Sequence, residues 1–371
     1  LGAACALALA AAAAAWTSSP GARATEPPRP RVALAPAAQP AEPKPRPAAK
    51  PAGPGSIVVA RDKDAYWVVA PDGKKQAELD LPNQTLPGGA PVLSPDGKRV
   101  AHVVNTETAP RPIPRDEADF KPWPYKVVVR DVAAGGGAKE WDAPAIHVAL
   151  TWTPDGKKLI VSKINNPQWT DFECVTLDPE TGKTEKLDLP ANARVVDVAR
   201  DGKTYLVQAF DAKAKKCELS LAAAGGKDVV VLTDLRDRAF RPTTARLSPD
   251  GKTVLFIDAD PGRKDAHKWG LSQKVYVVDV ATKKRAELTD FPENGRAWGV
   301  AWSPDGKKLA YTWTPLDAEL LKKDQWGPED VTKDTEGFLI VADADGSNAK
   351  TVATDKGRMV LAAVLGPIDW R

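Results

Sequence analysis

The chain has 371 residues, which is enough for two average domains or for one large all-β domain. Its formal net charge is only +3 with 27% charged residues, so composition does not favour a nucleic-acid-binding protein or one that binds an anionic membrane. Aromatic residues make up only 6% of the chain, yet twelve residues are tryptophan (Trp 12).

Residues 1–24 have the pattern of a targeting segment. Residues 1–16 form an apolar, alanine-rich run that is short for a membrane span, and Ala22-Arg23-Ala24 follows it. An apolar run that ends in an A-x-A site is typical of a secretory signal peptide, here with cleavage after Ala24. We therefore expect a periplasmic or secreted protein without a transmembrane span in the mature chain. An uncleaved signal anchor is the alternative.

Residues 25–55 have the composition of a linker. This stretch contains ten prolines among Ala, Lys, Arg and Glu, so it lacks the apolar residues that a packed core needs. Proline-rich segments favour extended polyproline II, which would make residues 25–55 a semi-rigid tether. A plain disordered leader fits the composition equally well.

From residue 56 onward, short β-branched runs alternate with turn residues, and one unit recurs. The unit is close to Trp/Leu-Ser/Thr-Pro-Asp-Gly-Lys, and its Asp-Gly pairs begin at Asp96, Asp155, Asp201, Asp250 and Asp305. The steps between these residues are 59, 46, 49 and 55 residues, and periods near 50 are typical of propeller blades. Proline presets the first corner of each turn, and Gly accepts the positive φ that reverses the chain.

A second hairpin follows the first in each repeat, as in residues 174–187 and 275–288, so the blades are predicted to have four antiparallel strands. The segment at residues 56–81 supplies three strands without an inner one, while residues 361–370 resemble an inner strand with Trp370 in the place of Trp152 and Trp302. We expect an all-β, six-bladed β-propeller over residues 56–371, in which the C-terminal strand completes blade 1. Seven blades is the alternative.

These Pro-Asp-Gly-Lys repeats resemble the WD-like repeats of TolB-like propellers and of the propellers attached to prolyl-oligopeptidase-type peptidases. The resemblance covers residues 56–371. It implies an exported propeller that binds proteins in the periplasm, without implying the same partners. The repeat occurs in scaffolds and enzymes alike, so the resemblance specifies the fold more than the activity.

The two ends of such a propeller differ in sequence. One end carries the tight turns, each followed by lysine, and is expected to be basic and flat. The other end, which we call the insertion end, receives the long loops at residues 105–125, 164–171, 259–273 and 314–336. Clustered loop tryptophans suggest a recognition surface at that end, although such rings also fold back over blade edges. The tryptophans predicted there are Trp123, Trp169, Trp269, Trp298 and Trp326.

A second candidate site is the mouth of the central channel at the insertion end. Arg241 and Arg296 both lie nine residues before a turn aspartate, with His147 and Arg194 within two positions of the same place. Convergent arginines are suited to a carboxylate or phosphate group, and structural ion pairs with blade acids such as Asp197 are the alternative.

No catalytic constellation is present in the sequence. There is no G-x-S-x-G elbow, and the three histidines have no metal-ligand spacing, so we expect no metal and no cofactor. Cys174 and Cys217 are placed on adjacent blades, with side chains directed into one gap between them, and are expected to be two buried thiols.

The favoured function is therefore a non-catalytic, monomeric scaffold that binds a protein or envelope polymer through the insertion end and binds no nucleic acid. A propeller hydrolase or lyase with an axial-channel site is the alternative.

Overall fold

The computed structural model describes residues 55–61, 65–80, 91–107, 121–132, 138–166, 171–211, 216–235, 244–259, 273–288, 295–315, 334–358 and 365–370. Within these ranges every regular element is a β-strand. The predicted signal peptide and nearly all of the predicted linker lie outside the described residues. The described residues belong to one compact unit, Ala49–Arg371.

The strands of the first half come in groups that follow the repeat. They are β1 (Ile57–Arg61), β2 (Ala65–Val69), β3 (Lys75–Asp80), β4 (Val92–Leu93), β5 (Arg99–Asn105), β6 (Tyr125–Asp131), β7 (Lys139–Asp142), β8 (His147–Trp152), β9 (Leu159–Ile164), β10 (Phe172–Leu177) and β11 (Thr184–Lys186). β4–β7 form one antiparallel sheet, which we call set 2, and β8–β11 form another, set 3. In both sets the strands are paired in chain order, as predicted for two successive hairpins.

The strands of the second half follow the same plan. They are β12 (Ala193–Val198), β13 (Thr204–Asp211), β14 (Lys216–Ala223), β15 (Val230–Leu235), β16 (Ala245–Leu247), β17 (Thr253–Ala259), β18 (Gln273–Asp279), β19 (Arg285–Glu287), β20 (Gly295–Trp302), β21 (Lys308–Pro315), β22 (Asp334–Asp343), β23 (Lys350–Arg358) and β24 (Leu365–Trp370). β12–β15 form set 4. A single sheet of eight strands contains β16–β19 (set 5) and β20–β23 (set 6). One parallel pair, Gln273 with Arg296, joins sets 5 and 6.

The C-terminal strand closes the sheet that the first three strands leave incomplete. β24 pairs antiparallel with β1, and Ile57 lies opposite Trp370 in the register. The resulting order, β24-β1-β2-β3, is a four-stranded sheet that we call set 1. The prediction that the C-terminal strand supplies the missing inner strand is confirmed.

The inner strands form a closed ring around one axis. β24, β4, β8, β12, β16 and β20 contact one another in this order, and β20 in turn contacts β24. The fold is therefore a β-propeller, as the repeat predicted. Strand pairing alone yields four sheets of four strands and one of eight.

Each tight turn is built as its residues predict. In Ser303-Pro304-Asp305-Gly306-Lys307, the Gly306 amide donates to the Ser303 carbonyl at 2.8 Å, and the Asp305 carboxylate accepts from the Lys307 amide at 3.1 Å. The turn glycine has a positive φ of 70°, which Gly adopts without steric strain. The Ser303 hydroxyl and the Lys307 amide hold the pKa of Asp305 below its ordinary value, so this carboxylate stays ionised.

The hydrophobic core lies between the faces of neighbouring sets. Val103 of set 2 packs in one cluster with Trp152 and Leu159 of set 3, and Leu206 of set 4 packs with Phe256 of set 5. Each sheet therefore buries its apolar faces only because a neighbour covers them, as expected for a ring of repeats.

Candidate functional site

The inner strands surround a cavity on the axis, at the end that carries the tight turns. Its volume is about 170 Å³, and segments from all six sets line it. The prolines of four tight turns form its collar: Pro95, Pro154, Pro249 and Pro304. This end is opposite to the insertion end, where the sequence placed the site.

Two tryptophans on inner strands bond the sets to one another at the wall of this cavity. The Trp152 indole Nε1 donates to the Val92 carbonyl of set 2 at 3.1 Å. The Trp302 Nε1 donates in the same way to the Arg246 carbonyl of set 5, at 3.2 Å. Both rings are nearly inaccessible to solvent. Each ring therefore packs in the core and also satisfies a backbone carbonyl of the preceding set.

Two buried aspartates make the complementary bonds to backbone amides. The Asp369 carboxylate of set 1 accepts from the Leu93 amide of set 2 at 3.1 Å. The Asp197 carboxylate of set 4 accepts from the Leu247 amide of set 5 at 2.9 Å. Sets 2 and 5 are therefore each bonded from both sides, by an aspartate of the preceding set and a tryptophan of the following one.

Arg246 and Arg200 are the cations of the cavity wall. The Arg246 Nη1 donates to the Ala245 carbonyl at 3.1 Å and to the Val196 carbonyl at 3.4 Å. Its Nε is buried and has no hydrogen-bond partner among the described residues. Arg200 is exposed, and its Nη2 donates to the carbonyl of Pro304 in the tight turn of set 6.

Arg194 lies deeper along the axis, and its side chain is buried. Its Nε donates to the Gln208 Oε1 at 2.8 Å, and the Gln208 Nε2 donates in turn to the Cys217 Sγ at 3.1 Å. Burial lowers the pKa of Arg194 to about 10, and the nearby positive charge of Arg246 acts in the same direction. Arg194 thus lies inside the molecule rather than at a surface of the propeller.

His147 begins the inner strand of set 3 and is also buried, with 5% of its surface exposed. Burial, together with the charge of Arg194, lowers its pKa to about 3, so the imidazole is neutral at neutral pH. The sequence grouped His147 with Arg194, and the structure places their side chains close enough to interact. Arg241, predicted for the same place, lies outside the described residues.

Arg296 and Trp298 are in direct contact at the insertion end. The Arg296 guanidinium carbon lies 3.8 Å from the centre of the Trp298 ring, which is a cation–π stack. The Arg296 Nε donates to the Gln273 Oε1 at 3.3 Å, and the Trp298 Nε1 donates to the Thr314 Oγ1 at 3.2 Å. Two of the predicted binding residues therefore form one half-buried cluster between sets 5 and 6.

The other predicted loop tryptophans are less informative. Trp123 forms an isolated bridge with Ala145 and packs, partly buried, against the core between sets 2 and 3. This packing is the alternative that the sequence left open for such rings. Trp169, Trp269 and Trp326 lie outside the described residues.

The turn end carries both signs of charge. Lysines after the turn glycines are exposed, as predicted: Lys98, Lys157, Lys203, Lys252 and Lys307. Each of these turns also contains an aspartate whose carboxylate accepts a hydrogen bond from the amide of that lysine. Every turn thus contributes one carboxylate and one ammonium group, so the surface is not simply basic.

Cys174 and Cys217 are buried free thiols, as expected, but they occupy different gaps. Cys174 packs with Ala193 and Val207 between sets 3 and 4, while Cys217 packs with Phe256 between sets 4 and 5. The prediction of a shared gap is wrong. The Cys174 side chain on β10 and the Cys217 side chain on β14 each point toward the next set, so set 4 itself separates the two sulfurs.

In the part of the chain that the structure describes, no group of three or more His, Cys, Asp or Glu side chains is arranged to hold a metal ion. The same part contains no helix long and apolar enough to cross a membrane.

A closed ring of four-stranded sets around an axial cavity defines this molecule as a β-propeller. No protein-family model matches the chain. No curated protein matches it in sequence either.

Solved structures do match. TolB from Acinetobacter baumannii superposes with a TM-score of 0.56 at 16% identity, over 85% of this chain and 66% of that chain, just under two thirds. A structure of the nidogen/laminin complex superposes with a TM-score of 0.52 at 10% identity, over 85% of this chain and 97% of that chain. The resemblance to TolB-like propellers is thereby confirmed for the fold.

The sequence did not identify the axial cavity at the turn end, although it contained two signals for it. Arg200 occupies the place that proline holds in the other four tight turns. Arg246, Asp197 and Thr151 all lie four residues before a turn aspartate, and this position faces the cavity or its wall. Aligning the repeats on their turn aspartates places these polar residues at one shared position.

Proposed function

We propose that this chain is an exported, non-catalytic β-propeller that binds a protein or an envelope polymer. The observation that carries the proposal is the axial cavity, because all six sets contribute to its wall and it contains arginine side chains. Propellers present binding surfaces at the ends of their central channel, on a scaffold that is rigid around it. The fold shared with TolB is consistent with this role.

The proposal includes an architecture. Residues 1–24 are a signal peptide, residues 25–55 a proline-rich linker and residues 56–371 a propeller of six blades. The eight-stranded sheet counts as two blades in this proposal, since the single pair of Gln273 and Arg296 links its halves. Amino-terminal sequencing of the protein from the envelope fraction is expected to begin at Thr25. Recovery from the cytoplasm with residues 1–24 intact would contradict this compartment.

The insertion end is the second surface in the proposal. Its described part holds the stack of Arg296 on Trp298, a pair suited to a planar or anionic group. A monomer with two accessible ends can hold one partner at each end.

Site-specific photo-crosslinking in the native host tests the binding function and distinguishes the ends. A photoreactive residue replaces Lys98 at the turn end, Thr106 at the insertion end, or Glu185 on an outer strand as the matched control; all three positions are exposed. We expect a discrete adduct from the turn end or the insertion end and none from the outer strand. The absence of adducts from both ends, or the same adducts at all three positions, would refute a specific binding function.

A further inference from the structure

Two arginines from neighbouring sets meet at the axial cavity. Arg200 replaces the collar proline in the tight turn of set 4. Arg246 occupies the inner-strand position four residues before the turn aspartate, which varies among the sets and holds Val92, Thr151, Asp197 and Ala301 in sets 2, 3, 4 and 6. A position at which a repeat departs from its own pattern, as at Arg200, is expected at a functional site, because the fold does not require the change.

Arg246 lines the cavity with its guanidinium held in place at the wall. Its Nη1 donates to the backbone carbonyls of Ala245 and Val196. The Arg194 guanidinium lies close enough for the two positive charges to repel, which an anion in the cavity would relieve.

The remaining wall limits the charge and the size of that acceptor. Asp197 and Asp369 also line the cavity and already bind backbone amides, and their charges disfavour a multiply charged anion such as phosphate. The volume of about 170 Å³ is below the roughly 300–1,000 Å³ of pockets for whole small molecules. The cavity has room for one side chain or one chain end of a polypeptide. The proline collar can contact apolar groups of the polypeptide next to that carboxylate.

We propose that the axial cavity binds a single carboxylate, presented by an acidic side chain or the C-terminus of a partner polypeptide, and that Arg200 and Arg246 hold it. Arg200 meets the carboxylate at the mouth, and the Arg246 guanidinium faces it from the wall. The inference rests on the proposed function, since it specifies the chemistry of the partner. Charge-assisted bonds from two guanidinium groups give such a contact its specificity.

Calorimetric titration of the full chain with defined probes tests the ligand class. The probes are acetyl-Pro-Glu-Pro-amide, its glutamine counterpart, acetyl-Pro-Ala-Pro with a free C-terminus, and sodium acetate. We expect at least one carboxylate peptide to bind at least about tenfold more tightly than the glutamine peptide, which corresponds to about 1.4 kcal/mol. Equal affinity for the glutamine peptide and both carboxylate peptides would overturn the proposal. Acetate that binds as tightly as the peptides would overturn the polypeptide source and assign the cavity to free carboxylates.

Variants locate the binding site. Arg200→Met and Arg246→Met are each expected to weaken the carboxylate peptide at least about tenfold. Lys203→Met removes an exposed charge from the same turn as Arg200 without altering the cavity wall, and it is expected to bind normally. Because Arg200 is exposed, its replacement tests the site even if Arg246→Met fails to fold. Unchanged peptide binding by Arg200→Met overturns the assignment of the carboxylate to the axial cavity. If the turn-end crosslink persists in Arg200→Met, the proposed binding function stands although the carboxylate site is wrong.

Discussion

His102 is expected to make the fold sensitive to mild acid. Its side chain is fully buried, and neither ring nitrogen has a hydrogen-bond partner among the described residues. Burial, together with the charge of Arg130, lowers its pKa from 6.5 to about 3. The unfolded chain therefore takes up a proton near pH 6.5 while the folded chain does not. The stability that the neutral imidazole contributes is complete above about pH 6.5 and is lost as the pH falls toward 3.

The size of the effect follows from this difference in pKa. Between pH 7.5 and pH 5.5, one such histidine lowers the free energy of unfolding by about 1.4 kcal/mol, and His147, with a similar pKa, adds about as much. The two together remove about 3 kcal/mol, a large share of the stability of an ordinary domain.

Urea denaturation at the two pH values measures this loss. Replacement of His102 by Leu, which does not titrate, is expected to shrink the difference between pH 7.5 and pH 5.5 by about 1.4 kcal/mol relative to the wild type. His267→Leu is the matched control, because it removes the third histidine, which the sequence places in a loop. The reasoning is refuted if His102→Leu keeps the full pH dependence of the wild type, or if His267→Leu reduces it equally.

Three further outcomes are expected. The Arg285 guanidinium lies 2.8 Å from the fully buried Asp258 carboxylate. Arg285→Met leaves that carboxylate without its ion pair and should lower the free energy of unfolding by about 3 kcal/mol. Adding Asp258→Asn to Arg285→Met should recover much of this loss. Trp370→Ala should lower the free energy of unfolding measured in urea by about 3–5 kcal/mol, because the buried indole belongs to the strand that closes the propeller. A loss below about 1 kcal/mol would contradict that closure. Thiol titration of the unreduced protein should show Cys174 and Cys217 slow to react when folded and fully reactive in denaturant, and unreactive thiols in the denatured protein would indicate a disulfide.

The sequence predicted the architecture well because the turns are local. A Pro-Asp-Gly-Lys unit encodes its own hairpin, and the period of the units encodes the blade. The same logic located the closing strand, since Trp370 matched Trp152 and Trp302. The ends of strands were less predictable: β22 begins at Asp334, inside the loop that the sequence predicted at residues 314–336.

The candidate site was harder to derive because it depends on how the sets are arranged around the axis. The sequence placed Arg194 and His147 at the channel mouth, but counting from the turns could not show that both are buried. The cavity involves residues about 50 positions apart, such as Arg200 and Arg246, whose proximity follows only from closure of the ring. The orientation of Cys217 also depended on the face of its strand, which a shift of one residue reverses.

The side-chain bonds that join sets 1, 2 and 3 recur at the corresponding positions of sets 4, 5 and 6. The backbone amides of Leu93 and Leu247 both donate to an aspartate carboxylate of the preceding set. Between sets 3 and 4 the side-chain bonds are longer, as in the 3.3 Å from the Ser162 hydroxyl to the Val195 carbonyl. Sets 1 to 3 and sets 4 to 6 thus form two arcs, each joined by the same kind of aspartate and tryptophan bonds. A fluctuation that lengthens the bonds between sets 3 and 4 would widen the axial cavity on that side while the bonds within each arc stay intact.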